Sequence, residues 1–321
     1  MTTTDTTRGL TEEQKVFFHR EGYLILDKLF DDADLRQARD DITAEIDRLA
    51  AEAVADGRLS RDFAELDFER RLARINEEDK SIASSIWDGK LHSPGIFQVI
   101  CNPKLLDVAE SLCGEELIAS SVYRLRPKAP GHEKSAVPWH QDSGYFEPYC
   151  DENLVLTVWV AMVDTNAENG CLYVIPRSHT GEVLPHYSRG YLMIRDEDLP
   201  AGDRVCAEVP RGGALLLTNK TVHGSFDNNT DRVRWSMDLR YQNAALPTNA
   251  PITRLEGEDT PRGEADDPGF VPVACYPPEA DFLVRSKARP NEVLTDPERF
   301  AKLRAEHQSR PVTSRWRKLE A

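Results

Sequence analysis

The sequence predicts a mainly β protein with a helical layer (α+β), in which a jelly-roll core follows a set of N-terminal helices. Apolar residues recur every three or four positions through the first third of the 321-residue chain, which is the period of an amphipathic helix. From Leu117 onward the period becomes two, as in a strand with one buried face. Short strands separated by turn signals are typical of antiparallel sandwiches and barrels, and here they favour a jelly roll.

The helical layer is predicted to span residues 10–115. Thr11, followed three residues later by Gln14, is a capping box that opens a first helix, and Gly22 is expected to end it. A further helix begins at Asn102-Pro103, where a capping side chain precedes a proline in the first turn. These local signals therefore fix the ends of several helices.

The jelly-roll core is predicted to span residues 117–245. A long apolar strand over 154–163 is followed by a hairpin signal at Asn169-Gly170, which leads into a strand over 171–175. A later strand over 232–241 alternates strictly. One face of the alternating strand is apolar, so that face is expected to pack inward against the protein core. The other face carries Arg232, Arg234, Ser236, Asp238 and Arg240.

Two long connections, residues 127–136 and 180–205, are predicted to be loops at the mouth of the barrel, where substrate recognition usually takes place. Their histidines, His132 and His186, are expected to be exposed to solvent. A third histidine, His179, is interpreted as a structural hydrogen-bonding residue.

Residues 246–321 are predicted to form a C-terminal extension, and the whole chain, 1–321, is predicted to be a single domain. Prolines make the first half of the extension loop-like, and Asp296-Pro297 is expected to begin a helix. Two roles remain open for the extension, either to cover the barrel mouth or to support an oligomer contact.

Composition excludes several classes of partner. Forty basic residues against 55 acidic ones give a net charge of −15, which argues against binding to nucleic acid or to an anionic membrane surface. Apolar runs fall short of a membrane span, and the Thr-rich start lacks the features of a signal peptide, so a cytoplasmic protein is expected. The six cysteines form no Cys-x-x-Cys pair, and neither a zinc ribbon nor a disulfide framework is indicated. A small-molecule substrate is the expected partner.

A candidate metal site lies in the stretch 137–142. Side chains two apart in an extended strand point to the same face, so His140 and Asp142 can bind one ion together. His223, which follows a distant apolar strand, is the candidate third ligand. Two histidines and one carboxylate with open coordination positions form the facial triad of non-haem Fe(II) oxygenases.

Several motifs resemble those of the phytanoyl-CoA dioxygenase family of Fe(II)/2-oxoglutarate-dependent oxygenases. They occur in the family's order over about residues 11–245, and they are Trp139-His140-Gln141-Asp142, Asn169-Gly170-Cys171-Leu172, Ile175-Pro176-Arg177-Ser178-His179, and His223-Gly224-Ser225 with Asn228 and Arg234. The resemblance implies a double-stranded β-helix (cupin-like) core, with His140, Asp142 and His223 as iron ligands and catalytic residues. It also implies Fe(II), 2-oxoglutarate and O2 as cofactor and cosubstrates.

The resemblance further implies that Arg234 binds the far carboxylate of 2-oxoglutarate. A guanidinium group suits this role because it can hold a carboxylate through two parallel hydrogen bonds. Arg232 is a rival on the same predicted strand face, although the family spacing favours Arg234. By the same similarity, Ser225 and Trp159 are expected cosubstrate contacts.

The expected activity is hydroxylation of an sp3 C–H bond in a small or medium-sized metabolite, with release of succinate and CO2. Asp142 favours hydroxylation over halogenation, since related halogenases lack this carboxylate. Desaturation, epimerisation and cyclisation use the same triad and remain alternatives. From other classes, a cupin-like metal protein without oxygenase activity and a scaffold that has lost its chemistry also stay open.

Overall fold

The computed structural model describes residues 9–87, 91–120, 123–132, 136–146, 151, 153–188, 192–246 and 282–308. Its helices are α1 (Glu12–Glu21), α2 (Asp32–Ala55), α3 (Arg71–Glu78), α4 (Lys80–Trp87), α5 (Pro94–Ile100), α6 (Pro103–Cys113) and α7 (Pro297–Gln308). Its strands are β1 (Tyr23–Leu26), β2 (Leu117–Ala119), β3 (Arg124–Lys128), β4 (Val137–His140), β5 (Leu156–Ala161), β6 (Leu172–Val174), β7 (Tyr187–Ser188), β8 (Leu192–Met193), β9 (Val205–Ala207), β10 (Ala214–Leu217), β11 (His223–Ser225), β12 (Arg234–Asn243) and β13 (Phe282–Arg285).

The strands form two main antiparallel sheets. In the larger sheet the order is β1-β10-β5-β12-β2-β13, with β3 also paired to β12, and in the smaller it is β4-β11-β6-β9. Helices α2–α6 lie between β1 and β2 in the chain, and the helical layer packs against the larger sheet, where α6 contacts β12 and β5. The prediction of an α+β protein with a jelly-roll core is therefore confirmed.

The two faces of the larger sheet have different partners, as the period of two requires. Val158, Trp235 and Met237 belong to one large apolar cluster with the helices. Trp159 and Leu217 point the other way and pack with Leu172 and Val174 of the smaller sheet. Along each strand of the larger sheet, alternate side chains therefore pack against the helices, and the side chains between them line the space between the two sheets.

The predicted helix ends agree with the structure. Thr11 and Gln14 form a reciprocal capping box at the start of α1, and Gly22 ends this helix with a φ of 82°. A left-handed conformation favours glycine because it has no Cβ. Asn102 caps α6 and Pro103 occupies its first turn.

The two long connections are more structured than predicted. Residues 127–136 begin inside β3, which pairs with β12 through Lys128, and residues 180–205 contain β7 and β8. His132 and His186 are buried, so the expectation that both are exposed was wrong. His132 contacts Ser84 and His186 contacts Gln141. These partners are more than 40 residues away in the sequence, so the residues next to each histidine do not indicate its burial.

The C-terminal extension joins the core in its described part, residues 282–308. Strand β13 pairs with β2 at the edge of the larger sheet. In α7, which begins at Pro297 as predicted, the ring of Phe300 lies 4.9 Å from that of Phe97 on α5. The extension therefore adds a strand and a helix to the body of the protein, while residues 247–281 and 309–321 lie outside the described part.

Within the described part of the chain, no helix has both the length and the apolar character that crossing a membrane requires.

Candidate metal centre and cosubstrate pocket

His140, Asp142 and His223 converge between the two sheets. His140 ends β4 and lies directly across from His223 on β11, and their ring centroids are 4.3 Å apart. Strand β4 ends at His140, so Asp142 does not continue the strand as predicted but begins a 3₁₀ turn. Gln141 between them keeps an extended backbone, and one potential ligand atom from each of the three residues lies within 4.8 Å of the others.

Backbone contacts set the protonation of both imidazoles. The Nδ1–H of His140 donates to the carbonyl of Pro138 at 2.8 Å, and that of His223 donates to the carbonyl of Thr221 at 2.9 Å. Because a carbonyl can only accept, the proton of each neutral ring is on Nδ1 and the Nε2 lone pair is left for a metal. Burial and the neighbouring His223 lower the pKa of His140 to about 3, which keeps this ring neutral.

The carboxylate of Asp142 is held by two side chains that the sequence did not single out. Its Oδ2 accepts a hydrogen bond from the Thr157 hydroxyl at 2.5 Å, and its Oδ1 accepts one from Nη2 of Arg240 at 2.9 Å. Burial alone would raise the pKa of Asp142, but the Arg240 guanidinium together with His223 and His140 outweighs this effect, and the pKa lies below its usual range. Asp142 is therefore an ionised, oriented ligand.

The peptide between the two neighbouring ligands is also fixed. The backbone N–H of Gln141 donates to Nε2 of His186 at 3.0 Å, and Nδ1–H of His186 donates to the carbonyl of Leu184 at 2.7 Å. The amide side chain of Gln141 accepts from the N–H of Leu184 and donates to the carbonyl of Lys220. His186 is thus a scaffold of the metal centre, whereas His179 donates to the carbonyl of His19 away from it.

Arg234 lies in the same cavity and lacks a hydrogen-bond partner for two of its nitrogen atoms. Its side chain is buried over the ring of Trp159 at 5.0 Å, and Nε and Nη1 find no acceptor in the described ranges. Burial lowers the pKa of Arg234 to about 10, so the group remains a cation. A buried cation with unused donors is costly, and a carboxylate would satisfy it. Arg232 instead precedes β12, is exposed and lies 3.8 Å from Glu69.

Ser225 is held by a buried lysine. Nζ of Lys128 donates to Oγ of Ser225 at 2.8 Å and to the carbonyl of Phe226 at 2.5 Å. Burial and the nearby Arg234 guanidinium lower the pKa of Lys128 to about 6. The sequence could not assign this lysine, because it lies in a segment predicted to be a loop.

A substitution of Lys128 should reveal the cost of burying its amine. Since the folded-state pKa of about 6 is below the ordinary value of 10.5, the unfolded chain binds more protons between these values, and stability rises with pH there. At pH 8 the cost is on the order of 3 kcal/mol, partly offset by the two hydrogen bonds. Lys128→Met should therefore unfold at higher urea than the wild type at pH 8, and the gain should shrink toward pH 10.

Exposed Lys28 provides the matched control, because Lys28→Met should change stability little at any of these pH values. A Lys128→Met protein that is less stable than the wild type at every pH would show that the amine is charged and stabilised in the fold.

The expected site residues line one cavity of about 180 Å³, which includes His140, Asp142, His223, Arg234, Ser225 and Trp159. The donor set fits iron, since it offers two neutral imidazoles and one carboxylate with open positions. The unused donors of the Arg234 guanidinium could bind a carboxylate group of a ligand that also contacts the metal. These residues therefore suit Fe(II) and 2-oxoglutarate together.

Comparisons with known proteins find relatives over most of the chain. A family model described as phytanoyl-CoA dioxygenase matches residues 18–236. The peroxisomal phytanoyl-CoA dioxygenase of Mus musculus is 29% identical over 245 residues, which cover 72% of this chain and 68% of the mouse protein. The ectoine dioxygenase of Bordetella bronchiseptica is 24% identical over 262 residues, which cover 76% of this chain and 79% of that protein.

Two solved structures show the same fold. EctD from S. alaskensis with bound Fe superposes with a TM-score of 0.52 at 22% identity and covers 76% of this chain and 81% of its own. The non-heme monooxygenase ThoJ superposes with a TM-score of 0.52 at 19% identity and covers 91% of this chain and 98% of its own.

Proposed function

The chain belongs to the phytanoyl-CoA dioxygenase family of Fe(II)/2-oxoglutarate-dependent oxygenases, and on this premise we propose that it hydroxylates an sp3 C–H bond of a small or medium-sized metabolite. In this proposal His140, Asp142 and His223 bind Fe(II), and Arg234 binds the far carboxylate of 2-oxoglutarate. Trp159 and Ser225 line the same cavity and are the proposed further contacts of the cosubstrate.

One observation carries the proposal, namely a buried guanidinium with unused donors in the same cavity as a two-histidine, one-carboxylate cluster. A zinc or other cupin-like site for hydrolysis or isomerisation needs no such clamp. In a scaffold protein without catalytic activity, an unsatisfied buried cation beside an intact triad would reduce the stability of the fold without serving a function. The oxygenase hypothesis therefore explains both the unsatisfied guanidinium and the two-histidine, one-carboxylate cluster.

The protein's own residues prepare the site before chemistry begins. The carbonyls of Pro138 and Thr221 fix the tautomer in which both Nε2 atoms face the metal position. Thr157 and Arg240 keep the Asp142 carboxylate ionised and oriented. Such outer contacts fix ligand geometry and tune metal affinity in metalloenzymes. When bound, Fe(II), 2-oxoglutarate and O2 supply the oxidation and yield succinate and CO2.

Asp142 favours hydroxylation as the outcome. Its carboxylate is a protein ligand where a halogenase would leave room for a halide. Desaturation, epimerisation and cyclisation are compatible with the same triad, and the product distinguishes them.

Two measurements test the proposal. Purified protein with Fe(II), ascorbate and 2-oxoglutarate under air should form succinate, at a rate that a true substrate increases. With labelled O2 and excess chloride, the product should gain one oxygen atom, drawn largely from O2, and no chlorine. Absence of succinate would refute the oxygenase assignment, whereas loss of two hydrogens without oxygen gain would replace hydroxylation by desaturation.

A further inference from the structure

The cavity has a second cationic wall, separate from Arg234. Strands β3 and β12 pair so that Arg124 lies opposite Asp238 and Arg126 lies opposite Ser236. The side chains of Arg124, Arg126, Asp238 and Arg240 all line the cavity that contains the metal triad. Arg240 holds the Asp142 carboxylate, but Arg124, Arg126 and Asp238 have no role in the proposed iron and cosubstrate sites.

Arg126 is the member of this wall best prepared to bind a ligand. Its Nε donates to Oδ2 of Asp238 at 2.9 Å, and its guanidinium lies 4.6 Å from the ring centroid of Trp87 on α4. Across the described part of the chain, the bond to Asp238 is the only hydrogen bond of this guanidinium. The two terminal amino groups of Arg126 are therefore held in position and have hydrogen-bond donors available for a ligand. The side chain is 24% exposed, so a ligand can reach it.

The charges of the cavity point to the class of ligand. Its lining residues include two carboxylates, Asp142 and Asp238, and four guanidinium groups, Arg124, Arg126, Arg234 and Arg240. The charges of Fe(II) and of the 2-oxoglutarate dianion cancel, so even without Arg124 the side chains that line the loaded cavity include more guanidinium groups than carboxylates. In an enclosed space of low dielectric such an excess attracts an anion and disfavours a cation.

We propose that the substrate is an anion whose carboxylate or phosphate group is bound by the terminal amino groups of Arg126. This inference rests on the proposed function and adds the substrate class to it. Asp238 and Trp87 hold the guanidinium in place, so little side-chain freedom is lost when the anion binds. The C–H bond to be oxidised is then on the part of the substrate that faces the triad.

Binding to the loaded protein tests the proposal without turnover. The protein is loaded with Mn(II) and 2-oxoglutarate, and the paramagnetic relaxation of probe protons reports binding near the metal. Each probe scaffold, straight-chain, cyclic or aromatic, is offered as a carboxylate, a phosphate monoester, a primary amide and an amine. Carboxylates or phosphates should bind at least tenfold more tightly than the matched amides, and amines should bind worst.

Three variants locate the effect at Arg126. Arg126→Gln should abolish the preference for anions, whereas Arg232→Gln, which changes an exposed arginine just before β12, should keep it. Asp238→Asn leaves Arg126 in place and removes its counter-ion, so it should strengthen anion binding. If Arg126 only supports the fold, Asp238→Asn will leave anion binding unchanged, and that result would overturn the proposal.

The outcomes separate this inference from the proposed function. If Mn(II) and 2-oxoglutarate fail to bind together, the proposed function itself fails. If they bind but the wild type treats acids and amides alike, prefers amines or binds no anionic probe, the anion site alone is rejected. Comparison of the carboxylate and phosphate series identifies which anion Arg126 accepts.

Discussion

Replacing His223 with alanine should leave a folded protein that no longer binds iron or turns over 2-oxoglutarate. The residue supplies one of three ligands, and its loss should cost more than the roughly 10–100-fold in metal affinity that follows loss of an outer contact. Strand β11 is paired on both sides, with β4 and β6, so its backbone should survive the substitution. Metal titration followed by Co(II) absorption and thermal unfolding by circular dichroism measure the two effects separately.

His179 is the matched control for this experiment, since it hydrogen-bonds a backbone carbonyl of α1 away from the cavity. His179→Ala should keep its metal affinity. Asp142→Ala and His140→Ala should behave like His223→Ala, and full turnover in His223→Ala without added imidazole would refute the ligand assignment.

Replacing Arg234 with alanine should raise the apparent constant for 2-oxoglutarate at least about tenfold, because a charge-assisted bidentate pair contributes on the order of 2–4 kcal/mol of binding. The free protein should lose little stability, since Nε and Nη1 make no hydrogen bonds that the substitution could remove. Succinate formation at varied 2-oxoglutarate, combined with urea unfolding of the free protein, separates these two effects.

Arg232→Ala should change the apparent constant for 2-oxoglutarate much less, because Arg232 is exposed and lies near Glu69. If Arg232→Ala caused the larger rise, the cosubstrate would bind outside the cavity that Arg234 lines, and the role proposed for Arg234 would be wrong.

The features predicted well from the sequence depend on short-range chemistry. The capping box at Thr11, the proline turn before α6 and the left-handed Gly22 each involve residues a few positions apart. The alternation along β12 correctly separated the helix-packing face from the polar face, because a strand has a period of two. The convergence of His140 with His223 followed from family motifs and not from local propensity.

The features missed depend on which strands are neighbours. Thr157 on β5 lies directly across from Arg240 on β12, and this pairing brings both side chains to Asp142. The spacing of residues along the chain does not show which residues of two strands are paired. His186 and Lys128 came from segments interpreted as loops, and their burial depends on contacts with Gln141 and Ser225. The sequence pattern predicts which face of a strand is buried. The side chains that hydrogen-bond to the metal ligands can be identified only when the pairing of the strands is known.

The two-faced pattern of β12 also limits how this protein can change in evolution or in engineering. A shift of the whole strand by one residue against its neighbours would turn Arg234 and Arg240 toward the helices and bring Trp235 and Met237 into the cavity. Such a shift would therefore remove the proposed cosubstrate clamp and the helix-packing face together. Point substitutions can tune this strand, whereas changes in length are better tolerated in exposed connections such as residues 201–204. Libraries meant to alter specificity should vary side chains on β12 and loop lengths elsewhere.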